Sequence, residues 1–306
     1  MVSRAGVWHR GCSVFTLRTG RGGDRDLAWI ARMGGSDVRA GSLAFVGTSG
    51  FSYGDWKGTF YPSWLPARDW FHYYATRFRS IEINLTFYRS PTTAMLGRWL
   101  ASSPPEFHFV LKASQVITHR KRLAGCEAEL EQLVAQYSPM GSRLACILFQ
   151  LPPSLRRDDP RLKHFVEQTG SLLEGAEIAP ALAFEFRHPS WNARATLELL
   201  ARHGCTMVIH DMAAAGWHLE AGKLKAGSII CTSAELLDLP LPLLYLRFHG
   251  TSGKYAGEYG AGRLEPWAQL ARGALQRSIP AHAYFNNTSA AAAVRDALRF
   301  ADLVGD

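Results

Sequence analysis

The sequence predicts an α/β fold: a single parallel (β/α)8 TIM barrel over residues 45–306, preceded by a poorly structured extension over residues 1–44. Three observations carry this reading. From Phe45 onward, short apolar or β-branched runs alternate with amphipathic helical patterns eight times. Six of those runs divide their residues the same way, with large apolar side chains on one parity and polar or ionisable ones on the other. The glycine-rich fingerprint that usually follows strand one of an open doubly wound sheet is absent.

Taken in order, the strands are expected to begin near Phe45, Ser80, Phe107, Arg143, Ala181, Cys205, Leu243 and Ala281. Residues 68–78 place Trp70, Phe71, Tyr74 and Phe78 at helical spacing. Residues 92–101 do the same with Met95, Leu96, Trp99 and Leu100, and residues 126–137 with Leu130, Leu133, Val134 and Tyr137. Further helices are expected over about 160–173, 192–203, 264–276 and 289–303, with Asn192 as a cap and Gly204 as a stop. The sixth unit is the weakest. Residues 211–240 hold Gly216, Gly222 and Gly227 without a clean helical period, so a long loop is expected there.

Composition narrows the class. The chain has 306 residues, 47% hydrophobic and 20% charged, which excludes a disordered or collagen-like protein. No apolar stretch approaches the roughly 18 residues needed to span a bilayer, so no membrane partner is expected. The net charge is +8, and residues 1–44 supply half of it with seven arginines against three acids. The remaining body is only mildly basic, which by itself does not argue for nucleic acid. Residues 1–44 are rich in Arg and Gly and lack a sustained period or the apolar core of a secretory signal, and Asp24, Asp26 and Asp37 count against a transit peptide. They read as a disordered extension, or as translated sequence upstream of a true start at Met33. The five cysteines are odd in number, far apart and without a CxxC pair, which fits a reducing cytoplasm.

Strand parity locates the chemistry. Glu82 and Asn84 share a face, as do His108, Val110, Lys112 and Ser114. So do Cys146, Leu148 and Gln150; Glu185 and Arg187; Tyr245, Arg247 and His249; and Tyr284 and Asn286. In a barrel this face points inward, and the polar residues come late in each strand, at the C-terminal mouth where active sites of this fold lie. Two readings stay open. The charges could neutralise one another as a plug, but Glu82 and Glu185 cannot absorb Lys112, Arg187 and Arg247 together. The surplus cation favours an anionic ligand, and clustered ionisable groups often mark function.

The loops add candidates. Tyr53 lies in the first βα loop, among glycines and hydroxyls that could form an anion nest. Ser114 and His119 lie in the third, ahead of the basic run Arg120, Lys121, Arg122. His188 and Trp191 lie in the fifth, where the indole could stack on a sugar or base, or simply pack. The seventh carries Gly250, Tyr255 and Tyr259 and reads as a possible lid. No cofactor is named by the sequence. Glu82, Glu185, His210, Asp211 and His249 are usable ligands for a divalent metal, but no ligand-spaced motif is present and Lys112 and Arg247 would repel a cation.

These residues, in the ordered stretches VGTSGFSYGDWKGTFYP, SIEINLTFYRSP, FHFVLKASQVITHRKRL, LFQLPPS, FEFRHPSW, LYLRFHG and YFNN, resemble the YecE-like family, domain of unknown function 72. The resemblance spans about residues 45–300. It implies a (β/α)8 barrel and a shared mouth pattern of Glu82, Asn84, Lys112, His119, Gln150, Glu185, Arg187, His188, Arg247, His249 and Asn286, and it implies no reaction. The sequence departs from the family pattern after Asp211 and after Asn287, which puts the sixth loop and the last helix start in doubt.

Two functions are therefore expected from different classes. The first is an enzyme acting on a polar anionic, phosphate- or sugar-containing small molecule. Lys112 and Arg247 would hold the anion, Glu82, Glu185 and His249 would be the acid–base groups, and Asn84, Gln150, Arg187, His188, Asn286, Tyr53 and Trp191 would bind substrate. Phosphoester hydrolysis is favoured over isomerisation, by fold analogy alone. The second is nucleic-acid binding through the basic run and the aromatic loops.

Overall fold

The computed structural model describes residues 43–212, 216–226, 229–253 and 255–305. Its strands are β1 Ala44–Thr48, β2 Ser80–Ile83, β3 His108–Lys112, β4 Leu144–Gln150, β5 Ala181–Glu185, β6 Cys205–Met207, β7 Ile209–His210, β8 His218–Glu220, β9 Lys223–Ala226, β10 Ile229–Thr232, β11 Leu244–Phe248 and β12 Ala281–Phe285. The helices are α1 Trp70–Ala75, α2 Leu85–Tyr88, α3 Thr93–Ala101, α4 Glu127–Tyr137, α5 Asp159–Gly175, α6 Arg194–Arg202, α7 Ser233–Leu237, α8 Gly260–Gln276 and α9 Ala292–Val304.

The chain is an α/β protein with two parallel sheets. One is ordered β2-β3-β4-β5-β6 and the other β1-β12-β11-β7. Two junctions relate them. Strands β6 and β7 are separated only by Val208, whose N–H still donates to Phe184 O at 2.9 Å, while β7 pairs in parallel with β11. At the other end, Ser49 and Glu82 form an isolated parallel bridge, and Gly50 N donates to Glu82 O at 2.8 Å. Just below that bridge the ladder between β1 and β2 is interrupted. The Tyr74 hydroxyl fills the gap, accepting from Thr48 N at 2.9 Å and donating to Ser80 O at 3.1 Å. A buried backbone group must find a partner, and here a side chain supplies it.

Gly47 makes this close approach possible, because a Cβ there would sit 2.2 Å from Ser80 O and 2.9 Å from the Tyr74 hydroxyl. Gly47→Ala is expected to force β1 and β2 apart and to cost about 1–3 kcal/mol. Urea unfolding checks this, and an unchanged midpoint would show that the strands can part freely.

The alternation of side chains has two destinations. Val110, Cys146, Leu148, Ala183, Val208, Tyr245 and Tyr284 form a small buried cluster drawn from several strands. Their opposite-parity neighbours, such as Phe109, Ile147, Phe184, Leu246 and Phe285, join the large core with the helices. Helix α9 shows the helical counterpart, burying Val294, Ala297, Phe300 and Val304 at steps of three and four. Helix α5 starts where Asp158 accepts from Arg161 N at 3.0 Å and Pro160 occupies the first turn.

Two local expectations change. Residue 192 is not a helix cap: α6 begins after Ala193, whose side chain has no cap to offer. The sixth unit is more than a loop, for β8, β9 and β10 form an antiparallel sheet followed by α7, which a Thr232–Glu235 capping box opens. Among the described residues, no helix is long and apolar enough to cross a membrane. The extension expected over residues 1–44 falls almost wholly outside the described residues, and Ala44 already belongs to β1.

Candidate active site

Arg247, near the end of β11, is the hub. It is 2% exposed, and all five of its N–H groups have partners. Nε donates to Glu82 Oε1 and Oε2 at 3.1 and 3.0 Å, and Nη2 donates to Glu82 Oε1 at 2.9 Å and Asn84 Oδ1 at 3.4 Å. Nη1 donates to Glu185 Oε2 at 2.8 Å and faces His249 Nε2 at 3.4 Å. Glu82 also accepts from the Ser49 and Tyr245 hydroxyls, each at 2.6 Å. Burial pushes the Glu82 carboxyl up, but Arg247 and these hydroxyls outweigh it and hold it below its ordinary range. The same opposition holds Glu185 well down, with burial overcome by Arg187 and then Arg247. Arg187 Nη2 is in ion-pair contact with Glu185 Oε1.

His249 is oriented from both sides. Its Nε2 faces Arg187 Nη2 at 3.1 Å as well as Arg247, and a guanidinium can only donate, so Nε2 carries the lone pair. Its Nδ1 proton therefore points toward Asp211 Oδ1 at 3.4 Å, and its backbone N–H donates to the same oxygen at 2.9 Å. The Tyr259 hydroxyl donates to Asp211 Oδ2 and accepts from Gly250 N at 2.8 Å. Burial, partly offset by the Asp211 bond, lowers the imidazole below its ordinary value.

Lys112, at the end of β3, differs from both arginines. It is 8% exposed, donates to Gln150 Oε1 at 2.9 Å and lies 3.9 Å over the Phe87 ring. It touches no carboxylate among the described residues, because the arginines have already engaged Glu82 and Glu185. Burial first, and Arg247 second, push its ammonium down to about 7. His119 packs edge-on against the same Phe87 ring, with ring centres 4.9 Å apart. The Thr118 hydroxyl donates to Ser114 O at 3.1 Å and so accepts from His119 Nδ1 at 2.9 Å. That leaves His119 Nε2 with a free lone pair. Burial, then Lys112 and Arg187, lower this imidazole too. The residue sits in a π-helical turn, Val116–Arg120.

Two further donors lack partners among the described residues. The side-chain amide of Asn286, a residue 8% exposed just past β12, has no hydrogen-bond partner among the described residues. Arg187 Nε is buried and likewise makes no hydrogen bond there. Tyr53 is half-buried over Trp56 and donates to Ser49 O at 2.5 Å, beside the Glu82 pair.

Two expected roles, those of Trp191 and Arg247, do not fit this geometry. Trp191 is 1% exposed, stacks on Phe186 at 4.4 Å and donates to Leu155 O at 2.8 Å. Phe186 belongs to the large core, so the buried indole offers no face to a ligand. His188 caps the short turn Pro189–Trp191, its Nδ1 accepting from Ser190 N at 3.1 Å, which commits that nitrogen to the fold. Arg247 has no donor left for an anion. Conversely, Phe87 and the roles of His119 and Asp211 were not assigned from sequence. The family resemblance implied His119 and the sequence offered Asp211 as a metal ligand, neither in the role found here, while nothing in the sequence set Phe87 apart from a core aromatic. Among the described residues, no group of three His, Cys, Asp or Glu side chains converges on a metal-sized point.

Residues 45–306 match the family described as protein of unknown function DUF72. The chain belongs to the DUF72 family. The DUF72 protein of Thermotoga maritima is 28% identical, with a TM-score of 0.68 over 86% of this chain and 99% of that one. The DUF72 protein of Enterococcus faecalis shares the fold at 16% identity, with a TM-score of 0.66 over 86% and 96%. The UPF0759 protein YunF of Bacillus subtilis (strain 168) is 23% identical over 273 residues, 81% of this chain and 89% of YunF. The DUF72 description brings no reaction with it, so chemistry has to be argued from the side chains.

Proposed function

We propose that the two parallel sheets are halves of one closed eight-stranded (β/α)8 barrel, and that its mouth is the active site of an enzyme for polar anionic small molecules, phosphate- or sugar-containing. The Ser49–Glu82 bridge and the single residue between β6 and β7 support closure. The observation that carries the functional reading is Lys112: a buried cation with no carboxylate contact, beside two carboxylates already taken by arginines. Arg187 Nε and the Asn286 amide supply further open donors. The reading gives anion binding to Lys112, Arg187 and Asn286, and acid–base work to His119 and to the Asp211-oriented His249. Glu82 and Glu185 become positioning residues, since carboxylates paired with guanidinium groups and held low make poor bases near neutral pH. Hydrolysis is the first reaction to test, with an imidazole rather than a carboxylate activating water. A cytoplasmic setting fits the buried free thiols of Cys126, Cys146, Cys205 and Cys231.

Sulfate is the probe for the anion site, because its charge is constant across the neutral range. An anion prefers the protonated amine, and that amine titrates at about 7 in the free protein. Calorimetric affinity is therefore expected to fall up to about tenfold per pH unit above pH 7, and Lys112→Met is expected to remove the dependence. A flat affinity from pH 6 to 9 in the wild-type protein defeats the assignment. For activity, a panel of phosphoesters and sugar phosphates is expected to reveal a reaction slowed about 10²–10⁴-fold by His119→Gln or His249→Gln.

Nucleic-acid binding is the second reading, favoured by Trp64 and Tyr88, exposed at 74% and 72% in the first two βα segments. The basic run weakens it, since Lys121 is paired with Glu129 at 2.7 Å. Oligonucleotide binding that falls steeply with salt and survives removal of residues 1–42 would favour it over the small-molecule site.

A further inference from the structure

We infer that Lys112 is a covalent carbonyl-capturing residue: its amine forms an imine with an aldehyde or ketone on the same anionic substrate. This deepens the small-molecule reading and rests on it. A lysine in a ring with two carboxylates would ordinarily take one as its counter-ion. Here Arg247 and Arg187 occupy both glutamates. The amine is left against an aromatic face and one amide oxygen, with two of its hydrogens uncommitted among the described residues. Such an environment, desolvated and near other cations, is the one in which a lysine amine becomes nucleophilic near neutral pH. Its position to titrate at about 7 agrees with that geometry.

The surroundings match the needs of the step. The lone pair of the neutral amine attacks the carbonyl carbon; a C–N bond forms and the C=O π pair moves to oxygen, which takes a proton. The attacking nitrogen gives up one proton to leave a neutral carbinolamine, which expels its hydroxyl with a second proton as water; loss of the remaining N–H proton then leaves C=N to Lys112. Carbonyl plus amine thus becomes imine plus water, with no oxidant or reductant. His119, packed on the same Phe87 ring with its Nε2 lone pair open, is the neighbouring group that can carry the protons. The unpartnered Asn286 amide and the partly exposed Arg187 guanidinium can hold the substrate's anionic group while the carbonyl reaches the amine.

Borohydride trapping of the full chain at pH 7 tests this, with dihydroxyacetone phosphate, glyceraldehyde 3-phosphate and pyruvate as probes and peptide mass mapping as the readout. At least one probe is expected to label Lys112 about tenfold more than the average of the other lysines. Lys112→Arg should abolish that label, and should the variant fail to fold, the mapping on wild-type protein decides alone. Even labelling of all lysines, or no Lys112 adduct from any probe, overturns the inference. If sulfate binding still shows the Lys112-dependent pH profile in that case, the anion-site reading stands and only the covalent step falls. If both are lost, the reading beneath it falls as well.

Discussion

Arg247→Met is expected to destabilise the protein by about 3–5 kcal/mol, because it leaves two buried carboxylates without their shared cation. Glu82 and Glu185 are each fully buried, and Arg247 bonds both, so one substitution uncovers two charges. Ser49 and Tyr245 would still donate to Glu82, and Arg187 would still face Glu185, which keeps the cost from being larger. A second variant separates electrostatics from packing. Adding Glu82→Gln and Glu185→Gln to Arg247→Met removes the stranded charges and is expected to recover much of the loss, as uncharged replacements of buried ion clusters often do. Urea unfolding at pH 7 measures both. A loss below about 1 kcal/mol for the single variant would mean that water reaches the cluster and screens it, as at exposed pairs. The hub also bears on function: a guanidinium that holds two glutamates and orients the His249 ring is structural first, and the candidate catalytic groups are those it positions or leaves unsatisfied.

That division of labour shows what the sequence could and could not convey. Period-two alternation is a local property, so the face shared by Glu82, Lys112, Glu185 and Arg247 was legible before any coordinate. It reappears in the structure as the split between the small multi-strand cluster and the large outer core. Which cation pairs with which acid is not local. It depends on the reach of a five-donor guanidinium from β11 toward Glu82 and Glu185, and only distances reveal that Arg247 is consumed and Lys112 is spare. Trp191 misled for a related reason: it follows Arg187, the partner of Glu185, closely in sequence, yet the turn Pro189–Trp191 carries it back onto Phe186. In the sixth unit, Lys223, Leu224, Lys225 and Ala226 do alternate between exposed and buried, but four residues are too few for the pattern to stand out. Their hairpin partner is reached through Ala221 and Gly222, both at positive φ, of which only the glycine is a recognisable turn signal. His119 lies in a π-helical turn, a spacing that neither the helical nor the strand template describes.

Stability should also fall steeply on acidification, well before the carboxylates titrate. Among the described residues, three histidines are buried and a fourth is half-buried, each held as a neutral ring. His282 lies 2% exposed between Phe45 and the Tyr284 hydroxyl, and burial pushes its imidazole down to about 3. His210 is held by Phe186 O at 3.0 Å and by Met212 N at 3.3 Å, and burial, despite Glu185 nearby, brings it to about 4. His108, stacked on Phe45 at 4.0 Å, and His249 are lowered as well. In the unfolded chain each would titrate near 6.5. Below that pH the unfolded state binds protons that the folded state refuses, so stability is full above about 6.5 and declines as pH falls toward the folded values. Each such histidine contributes a slope of about 1.4 kcal/mol per pH unit while it lies between its two values. With His210 and His282 both in that window between pH 6 and 4, a combined loss of several kcal/mol is expected. The two salt-bridged glutamates add to the loss only below about pH 4.5, because they prefer their charged form in the folded state. Their contribution therefore appears as a second, more acidic step. Urea unfolding from pH 7.5 to 4.5 would show the first slope, and His282→Gln, which keeps a group able to bond Tyr284, should make it shallower. A stability curve that stays level down to pH 5 would mean that these rings accept protons in the folded protein, and that the stack of Phe45, His108 and His282 admits water.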